Sequence, residues 1–444
     1  MTIIDRPETQ STDEIVDELH TWLEENWDPD LSVAVWWERL GTSGWAAPTL
    51  ATNAYGRGVS RADGVRIQSE IASFGALGAP GGLGLLLAAP TIAKHGTQEQ
   101  IDTMLRDIVT GQRAWCQLFS EPGAGSDLAG LTTKAMQDGD EWIVNGQKVW
   151  TSLGQIADLG MLIARTAPDA PKHAGISYFG IEMNQPGVEL RPLKEMTGHA
   201  MFNEVFLTDA RVANSSMIGD RNNGWAVTNS TLAFERAGLG SGGSGAGGMS
   251  ASPGQIAGDL DKRVGDLAPG RSETSKGSAA SKSRKRDSAA KTLISFATSN
   301  GTINDLTIRQ DLARLHTMGE VGRFNAERMK AARGVGRDIA GMANISKLAM
   351  SEMVRLQRDL GLRIVGAQGM LHAYDAEQKA VNDEATGNPF LSFVTGTALY
   401  AQAPPIYGGT DQIQRNIIGE RVLGLPKEPG DDRSVPFSSL PKNA

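Results

Sequence analysis

The sequence predicts an α+β protein in which a helical segment, a small β segment and a second helical segment follow one another. Apolar residues recur at helical spacing through most of the first 114 residues. From about residue 115, short apolar runs alternate with turn signals, and their period-two patterning predicts a small antiparallel sheet or barrel. Helical periodicity returns after Trp225. We therefore expect an N-terminal helical domain over residues 1–114, a middle β domain over 115–225 and a C-terminal helical domain over 226–444.

The N-terminal domain begins with an amphipathic helix over residues 12–27, for which Thr12 is the expected cap. Its apolar face carries Ile15, Leu19, Trp22, Leu23 and Trp27. Similar patterns occupy residues 65–77 and 97–109. The segment LGLLLAAPTIA at 83–93 is apolar on nearly every side, which predicts a buried helix that ends near Pro90.

The C-terminal part contains one strongly patterned helix and one segment of unusual composition. Residues 344–360 place apolar side chains from Ile345 to Leu360 on a single stripe. The segment 237–290 opens GLGSGGSGAGGMSASPG and ends SKGSAASKSRKRDSAAK. Because such sequence loses much backbone entropy on ordering, we expect a flexible surface insertion. Its basic run Lys282–Arg286 is expected to be a solvated loop.

Composition limits the possible classes of function. The chain has 444 residues, 40% apolar and 21% charged, which is ordinary for a globular protein of two or three domains. A net charge of −8 argues against a general nucleic-acid-binding protein. The single cysteine, Cys116, excludes a disulfide framework, and no histidine pair has ligand spacing, so no metal is expected. The absence of a signal pattern or a long apolar segment predicts a cytoplasmic protein without a membrane span.

Several separated motifs indicate the function. Residues 119–130 read FSEPGAGSDLAG, a turn-rich loop, and NGQKVWTS follows from the hairpin signal Asn145-Gly146. Further along come FNEVFLTDARV, NNGW, AFER at 233–236 and PPIYGGTDQIQRNIIGERVLG at 404–424. In this order they closely resemble the acyl-CoA dehydrogenase family, over roughly residues 60–425. The resemblance implies a helical N-terminal domain, a small β-barrel and a C-terminal four-helix bundle.

The resemblance also implies an FAD-dependent enzyme that acts on acyl-CoA thioesters. In this family a proton leaves the α-carbon, a hydride passes from the β-carbon to flavin N5, and an electron-transfer flavoprotein accepts the electrons. Such chemistry needs a flavin held flat, donors to the thioester oxygen and a shielded carboxylate near the α-carbon.

The resemblance assigns the cofactor to two neighbouring stretches and one late loop. Ser120 and Ser152 fall where the family places hydroxyl donors to the isoalloxazine, and Trp150 is expected to pack against the ring. Taken alone, Glu121-Pro122-Gly123 is more simply a tight turn and Trp150 a core residue, but their combination favours a flavin site. The expected cofactor-binding residues are Gln117, Leu118, Phe119, Ser120, Gly125, Ser126, Trp150, Thr151, Ser152, Gly409, Thr410 and Gln412.

Glu235 is the expected catalytic base. Members of the family carry this glutamate either in a late Tyr-Glu-Gly-Thr motif or on an earlier helix directly before an arginine. Here the late motif reads Tyr407-Gly408-Gly409-Thr410, whereas Phe234-Glu235-Arg236 fits the helix pattern. The alternative for Glu235 is a surface carboxylate paired with a neighbouring arginine.

The resemblance implies four substrate-binding residues, Ser126, Arg236, Tyr407 and Gly408. The backbone N–H of Gly408 falls where the family donates to the thioester oxygen, a role that any residue except proline can fill. Arg236 matches a residue that contacts CoA or shapes the loop, and Ser126 matches one near the CoA.

Two motifs of the family are altered. The arginine expected eleven residues before Gln310 is replaced by Ser299, and the expected Q-x-x-G-G-x-G reads RIVGAQG from Arg363. In the family both motifs bind the cofactor of a neighbouring subunit. We therefore expect one subunit of an oligomer, a heterotetramer with a second acyl-CoA dehydrogenase subunit, as in some actinobacterial enzymes of steroid side-chain breakdown. Alternatively, Arg309, Arg363 or the basic insertion contacts the pyrophosphate.

Two other functions stay open at this point. An acyl-CoA oxidase differs in the access of oxygen to the reduced flavin. A catalytically silent assembly subunit is free to lose its base, whereas this chain retains Glu235. A helix-borne base is compatible with long, branched or bulky acyl groups, so the sequence does not identify the acyl group of the substrate.

Overall fold

Helices flank a curled seven-stranded sheet in chain order, which confirms the predicted fold class. The computed structural model describes residues 10–239, 251–268, 289–334, 337, 339–427, 429 and 434–441. The chain divides into two compact units. Unit 1 contains residues 1–193, 202–278 and 430–444, and unit 2 contains residues 194–201 and 279–429.

Short helices and two wider π-helical turns form the N-terminal part. They are α1 (Thr12–Asn26), α2 (Val33–Thr42), α3 (Arg61–Phe74), α4 (Ala89–His95), α5 (Gln98–Gln100) and α6 (Arg106–Val109), with π turns at Gly84–Ala88 and Ile101–Leu105. The expected cap of α1 is wrong by one residue. Ser11 accepts the Glu14 N–H, and the Glu14 carboxylate accepts the Ser11 N–H in return. Ser-x-x-Glu thus satisfies two helix-end donors reciprocally, which Thr12 does not.

Pro90 does not end its helix, contrary to the prediction. In the π turn Gly84–Ala88, the Ala89 N–H donates to the Gly84 carbonyl, and α4 then continues to His95. Pro90 occupies the first turn of α4. The first N–H groups of an α-helix have no partner inside it, so the missing N–H of proline costs little there.

The middle sheet is mixed, whereas the sequence predicted antiparallel pairing. Its strands are β1 (Trp115–Leu118), β2 (Lys134–Asp138), β3 (Glu141–Ser152), β4 (Leu159–Arg165), β5 (Ile176–Glu182), β6 (Val188–Leu193) and β7 (Phe202–Ala213). Their order is β1-β4-β2-β3-β7-β6, and β5 pairs with β4. Both β1 and β2 meet β4 in parallel. The prediction fails there because the loop between β1 and β2 carries the chain past β4, so both strands run in the same direction.

Part of the predicted flexible insertion at 237–290 is folded. Helix α7 (Gly224–Leu239) is followed by residues 251–268, which we call the strap and which contain helix α8 (Val264–Leu267). Ala251 and Val264 of the strap pack into the hydrophobic core of unit 1, so the prediction of a flexible segment is wrong for residues 251–268. The rest of the predicted insertion, 240–250 and 269–288 with Lys282–Arg286, lies outside the described residues.

Backbone hydrogen bonds hold the strap at both ends. The Gly254 N–H donates to the Gly111 carbonyl at 2.9 Å, and the Val264 N–H donates to the Leu31 carbonyl at 2.8 Å. Val264 is fully buried in the core of unit 1. These contacts offset the entropy that a Gly- and Ser-rich segment loses on ordering, and composition alone does not report them.

Unit 2 is helical. Its helices are α9 (Ala289–Ser299), α10 (Leu306–Gly334), α11 (Met342–Val365), α12 (Ala376–Thr386), α13 (Leu391–Tyr400) and α14 (Asp411–Ile417). α11 contains the predicted helix 344–360, although only the end of the predicted stripe, at Leu360, is fully buried, and Ile345 is 42% exposed. In the described ranges, no helix is long and apolar enough to cross a bilayer, and no three His, Cys, Asp or Glu residues are grouped to hold a metal ion.

Val264→Ala tests whether the strap is part of folded unit 1. The substitution removes two methyl groups from a fully buried position, so we expect the free energy of unfolding to fall by about 2 kcal/mol. Ile256→Ala, on the same strap but 47% exposed, should change it by less than about 0.5 kcal/mol. Urea unfolding followed by tryptophan fluorescence measures both values. Equally small effects would show that the strap is not packed in solution.

Candidate functional site

Two separated stretches of the sequence meet in unit 1, where β3 passes the end of β1. The Lys148 ammonium on β3 donates to the Phe119 carbonyl at 3.1 Å, just beyond the end of β1. The next residue, Val149, donates its N–H to the Ser120 carbonyl at 2.9 Å. The structure therefore brings the FSEPGAGSDLAG loop and the NGQKVWTS strand together.

A buried ion pair fixes this junction. Lys148 is fully buried, Glu121 is 6% exposed, and Nζ lies 2.9 Å from Oε1. The Glu121 carboxylate also accepts the N–H groups of Thr132 at 2.7 Å and Thr133 at 2.9 Å. Burial opposes ionisation, but the Lys148 charge and these hydrogen bonds outweigh it and lower the pKa of Glu121 to about 2. The pair thus ties the start and the end of the loop to β3.

Sequence reasoning missed Lys148 and treated Glu121 only as a turn residue. A signal was available, because Lys148 stands in a strand whose neighbouring positions alternate between buried and exposed. A lysine on the buried side of such a strand needs an acidic partner. The preceding FSEPGAGSDLAG motif holds two candidate carboxylates, Glu121 and Asp127.

The loop itself is a tight turn followed by exposed residues. Glu121 and Ala124 exchange two backbone N–H···O bonds of 3.0 Å each. Gly125 and Ser126 are exposed. A Cβ on Gly125 would meet no protein atom within 4 Å, so packing within the chain does not require glycine there. The space beside Gly125 is open to an external group.

Arg165 holds the second half of the loop by hydrogen bonds to its backbone carbonyls. Its buried guanidinium donates to the carbonyls of Ala129 at 2.6 Å, Leu131 at 3.2 Å and Lys172 at 2.9 Å. The Phe437 ring covers it, with the guanidinium carbon 3.5 Å from the ring centroid. Burial lowers the pKa of Arg165 to about 10, so the group stays charged at neutral pH.

β3 becomes irregular at the residues expected to contact the flavin. Its pairing with β7 shifts register between Lys148 and Thr151, and Trp150 has a φ of 62°. This left-handed conformation costs a residue with a side chain about 1 kcal/mol. The Trp150 side chain is 60% exposed and meets Phe202 edge-on at 5.9 Å between ring centroids. Trp150 is therefore not a core residue of unit 1, and its indole is accessible to a flat ligand.

Thr151 carries an unpaired buried hydroxyl beside the expected flavin contacts Trp150 and Ser152. Its Oγ1 is buried and has no hydrogen-bond partner in the described part of the chain, while its carbonyl accepts from Asn203 at 3.1 Å. A buried hydroxyl without a partner is unfavourable, and the polar edge of an isoalloxazine supplies one. With the open space at Gly125 and the exposed Trp150, the residues of the two stretches fit FAD.

Glu235 lies half-buried on α7 in unit 1. One turn earlier, Thr231 Oγ1 is 3.0 Å from Thr91 Oγ1 on α4 and 3.3 Å from the Tyr178 hydroxyl on β5. The Tyr178 ring meets Phe119 edge-on, with the ring centroids 5.9 Å apart. The contacts Phe119–Tyr178–Thr231 therefore connect the FSEPGAGSDLAG loop, which is the proposed flavin loop, to the helix that carries Glu235.

Tyr178 and Thr231 were not identified from the sequence, because contacts between distant buried polar residues leave no local pattern. Burial raises the pKa of Tyr178, so its hydroxyl stays protonated. Ser230 adds another tie between α7 and α4, with its Oγ 2.8 Å from His95 Nε2. The side chain of the predicted Arg236 lies outside the described part of the structure.

The late loop lies in unit 2 and contains two consecutive left-handed glycines. Gly408 has a φ of 63° and Gly409 a φ of 82°, which glycine adopts without strain. The Gln414 amide donates to the Gly408 carbonyl at 2.8 Å. The N–H groups of both glycines donate to no acceptor within the described ranges. The Tyr407 and Tyr400 hydroxyls hydrogen-bond each other.

Charged groups anchor this loop to α11. Thr410 caps α14 by accepting the Ile413 N–H at 3.1 Å. The adjacent Asp411 is buried and pairs with Lys347 at 3.1 Å and Arg355 at 2.5 Å. Burial opposes ionisation of Asp411, but its hydrogen bonds and these cations lower its pKa. Gln412 is exposed.

Both altered motifs lie in unit 2 and are engaged within the chain. The Arg363 guanidinium donates to Asp311 at 2.5 Å and to Thr307. Ser299 donates its hydroxyl to the Phe296 carbonyl at 2.8 Å. Arg363 is thus committed to a carboxylate of its own unit, which weighs against a role in binding pyrophosphate.

Three family models match consecutive segments of the chain. They describe the N-terminal domain of acyl-CoA dehydrogenases at residues 6–112, the middle domain at 116–210 and the C-terminal domain at 267–423. Glu235 and most of the strap fall between the second and third matches.

Relatives and solved structures agree with these matches. Acyl-CoA dehydrogenase IpdE1 of Mycobacterium tuberculosis is 33% identical over 396 residues, which cover 88% of each chain. The Tcur3481–Tcur3483 steroid ACAD superposes with a TM-score of 0.65 at 24% identity, covering 96% of this chain and 100% of that one. The ChsE4–ChsE5 complex from Mycobacterium tuberculosis gives a TM-score of 0.62 at 24% identity, with the same coverage. At these identities the structural likeness establishes the fold.

Lys148→Met should destabilise the protein strongly. It leaves the Glu121 charge buried without its partner, and breaking a buried pair from one side costs about 3 kcal/mol or more. Combining it with Glu121→Gln should recover most of that loss, because no charge then stays buried. Urea unfolding of the flavin-free protein measures all three variants, with Glu121→Gln alone as the third.

The pH dependence is the control for this charge pair. The pKa of Glu121 is lowered from 4.5 to about 2, so its ionisation stabilises the fold above pH 4.5, and that contribution is lost as the pH falls towards 2. The stability difference between the native protein and Glu121→Gln should therefore shrink as the pH falls below about 5. A difference that stays constant down to about pH 3 would contradict an ionised pair.

Proposed function

The chain belongs to the acyl-CoA dehydrogenase family, and we propose that it removes an α-proton and a β-hydride from an acyl-CoA thioester, with Glu235 as the catalytic base. Bound FAD supplies the hydride acceptor. The residues that we expect to hold its ring are the two stretches Gln117–Ser126 and Trp150–Ser152. An electron-transfer flavoprotein then takes the electrons, and peroxide formation in an aerobic assay would instead indicate an oxidase.

The contacts Phe119–Tyr178–Thr231 carry this proposal. A base must keep a fixed position relative to the cofactor, since a small displacement of a reacting group greatly slows the reaction. These contacts connect the flavin loop to α7 one turn before Glu235. Tyr178 and Thr231 are fully buried, so close packing restrains both side chains.

We propose that Gly408 polarises the substrate. A backbone donor at the thioester oxygen stabilises the negative charge that develops there when the α-proton leaves. The Gly408 N–H donates to no described acceptor, while Gln414 holds its carbonyl. Ser126, Arg236 and Tyr407 stay proposed substrate contacts.

Glu235→Gln should leave flavin binding intact and lower turnover by about 100-fold or more. The amide keeps the size of the side chain but cannot accept the α-proton. Flavin absorbance measures cofactor content, and a dye-linked assay measures turnover. Exchange of the substrate α-protons in D₂O measures proton abstraction by itself.

Glu24→Gln is the matched control, since Glu24 is an exposed carboxylate on α1. It should keep native turnover and native α-proton exchange. Undiminished exchange in Glu235→Gln would assign the base to another residue.

We infer further that the chain is one subunit of a heteromer. Ser299 and Arg363 stand where the family carries the residues that grip a neighbour's cofactor, and Arg363 is paired with Asp311. Among the structurally similar proteins, ChsE4–ChsE5 is a complex of two differently named chains. A partner that retains both motifs would supply the missing contacts.

Produced alone, the chain should contain little flavin, and co-production with an acyl-CoA dehydrogenase chain that retains both motifs should raise its FAD content. The partner's Arg and Gln would then bind the pyrophosphate and adenosine parts of the cofactor. The ratio of flavin to protein absorbance and the mass in solution measure the outcome. A uniform homo-oligomer that is fully loaded with FAD after single production would refute this inference.

A further inference from the structure

The Gln414 side chain binds the late loop of unit 2 through its amide. It lies on α14, is 2% exposed, and donates from Nε2 to the Gly408 carbonyl at 2.8 Å and to the Gly409 carbonyl at 3.4 Å. A Cβ on Gly409 would come within 2.7 Å of Nε2, whereas a Cβ on Gly408 would meet no protein atom within 4 Å. The glycine pair is therefore packed on Gln414 at one side, while the side of Gly408 on which a Cβ would stand is open.

The two glycines depend on this restraint. Glycine populates positive and negative φ about equally, so Gly408 and Gly409, with φ of 63° and 82°, keep this conformation only where other groups fix it. The bond to the Gly408 carbonyl restrains rotation about the Cα–C bond of that residue. It also orients the next peptide group, because the N–H of a planar trans peptide points opposite to the carbonyl. The Gly409 N–H is thereby directed away from Gln414.

Asn344 determines which end of the Gln414 amide faces the loop. The two ends of a glutamine amide have nearly the same shape, but only the NH₂ group donates. Asn344 stands half-buried in the first turn of α11, and its Nδ2 donates to Gln414 Oε1 at 2.6 Å. If the amide turned over, its NH₂ group would face that of Asn344, and its oxygen would face the Gly408 carbonyl. The bond from Asn344 therefore selects the orientation in which Gln414 donates to the loop.

We propose that Asn344 and Gln414 are positioning residues of the dehydrogenation: Asn344 orients the Gln414 amide, and Gln414 holds Gly408 so that its N–H stays directed at the thioester oxygen. The inference rests on the proposed function, in which Gly408 donates to that oxygen. When the α C–H bond breaks, the proton passes to Glu235 and the electron pair spreads onto the thioester oxygen. A donor that can swing away stabilises this charge less, because a displacement of about 1 Å can slow a reaction by about 100-fold.

Gln414→Met tests the positioning. Methionine is as long and unbranched as glutamine, but it cannot donate to the glycine carbonyls. The probe is the acyl-CoA on which the flavin-loaded native complex is most active in a panel of straight-chain, branched and ring-bearing acyl-CoAs. In the variant, kcat and the exchange of the probe's α-protons in D₂O should both fall by about tenfold or more, while the FAD content is unchanged.

A thioether of CoA separates positioning from a general structural role. In this analogue of the probe a CH₂ group replaces the thioester carbonyl, so it offers no oxygen to Gly408. Gln414→Met should bind it as tightly as the native complex does, which titration of the flavin absorbance measures. Thioether binding that weakens as much as exchange slows would show that Gln414 shapes the whole site, and it would overturn the positioning role. Undiminished exchange in Gln414→Met would overturn it too.

Gln100→Met is the matched control. Gln100 is 5% exposed, and its amide also donates to two carbonyls, those of Ser215 at 2.7 Å and Met217 at 2.8 Å. This variant should lower the Tm at least as much as Gln414→Met does, yet keep native α-proton exchange. An equal loss of exchange in the two variants would attribute the effect to destabilisation and contradict the proposal.

Asn344→Leu tests the orienting step, and at its half-buried position it also serves if Gln414→Met folds poorly. The Gln414 amide can then turn over, so exchange should slow by about threefold or more. In the Gln414→Met background the same change should add nothing, because Asn344 acts only through Gln414. Native exchange in Asn344→Leu, or an equal further loss in the double variant, would overturn its role. These failures are distinct from failure of the proposed function, in which the flavin-loaded native complex dehydrogenates no acyl-CoA.

Discussion

The buried ion pair of Glu121 and Lys148 is the interaction on which the rest of the proposed cofactor site depends. A carboxylate and an ammonium are unfavourable in the interior unless each finds several partners, and here they do. The lysine holds the Phe119 carbonyl at the start of the loop, and the glutamate holds the N–H groups of Thr132 and Thr133 just after it. Since a hydrophobic pair of the same volume would not fix these backbone groups, the gain is in geometry rather than in stability.

Arg165 holds backbone groups in the second half of the loop, in addition to those that the ion pair holds at the two ends. Its buried guanidinium donates to the Ala129 and Leu131 carbonyls at the end of the loop. The residues that face outward, Gly125 and Trp150, contribute little to this framework and leave a surface for a ligand. Tyr178 contacts Phe119 of the loop with its ring and Thr231 of α7 with its hydroxyl, and so links the loop to α7. Buried polar groups thus determine orientation, while the apolar core supplies stability.

Much of this was predictable from the sequence, and the exceptions have physical reasons. The fold class followed from periodicity, and the motifs located the loop, because both are local patterns. The strand pattern could have indicated that Lys148 is buried, but its partner Glu121 lies 27 positions away, and no local rule identifies that partner. Pro90 misled because proline ends a helix only when its N–H is needed, which depends on the turn before it. The strap was missed because its low propensity is outweighed by long-range bonds to residues such as Gly111 and Leu31.

Phe437, which covers Arg165, has a consequence for how the protein is made. The chain reaches Phe437 only after it has passed through the whole 279–429 segment of unit 2. On the ribosome, residues are added in order, so the flavin loop emerges long before the ring that shields its supporting arginine. Until that ring arrives, Arg165 is open to water on one face and holds the loop less firmly. The support beneath the proposed cofactor loop is therefore among the last parts of unit 1 to be completed.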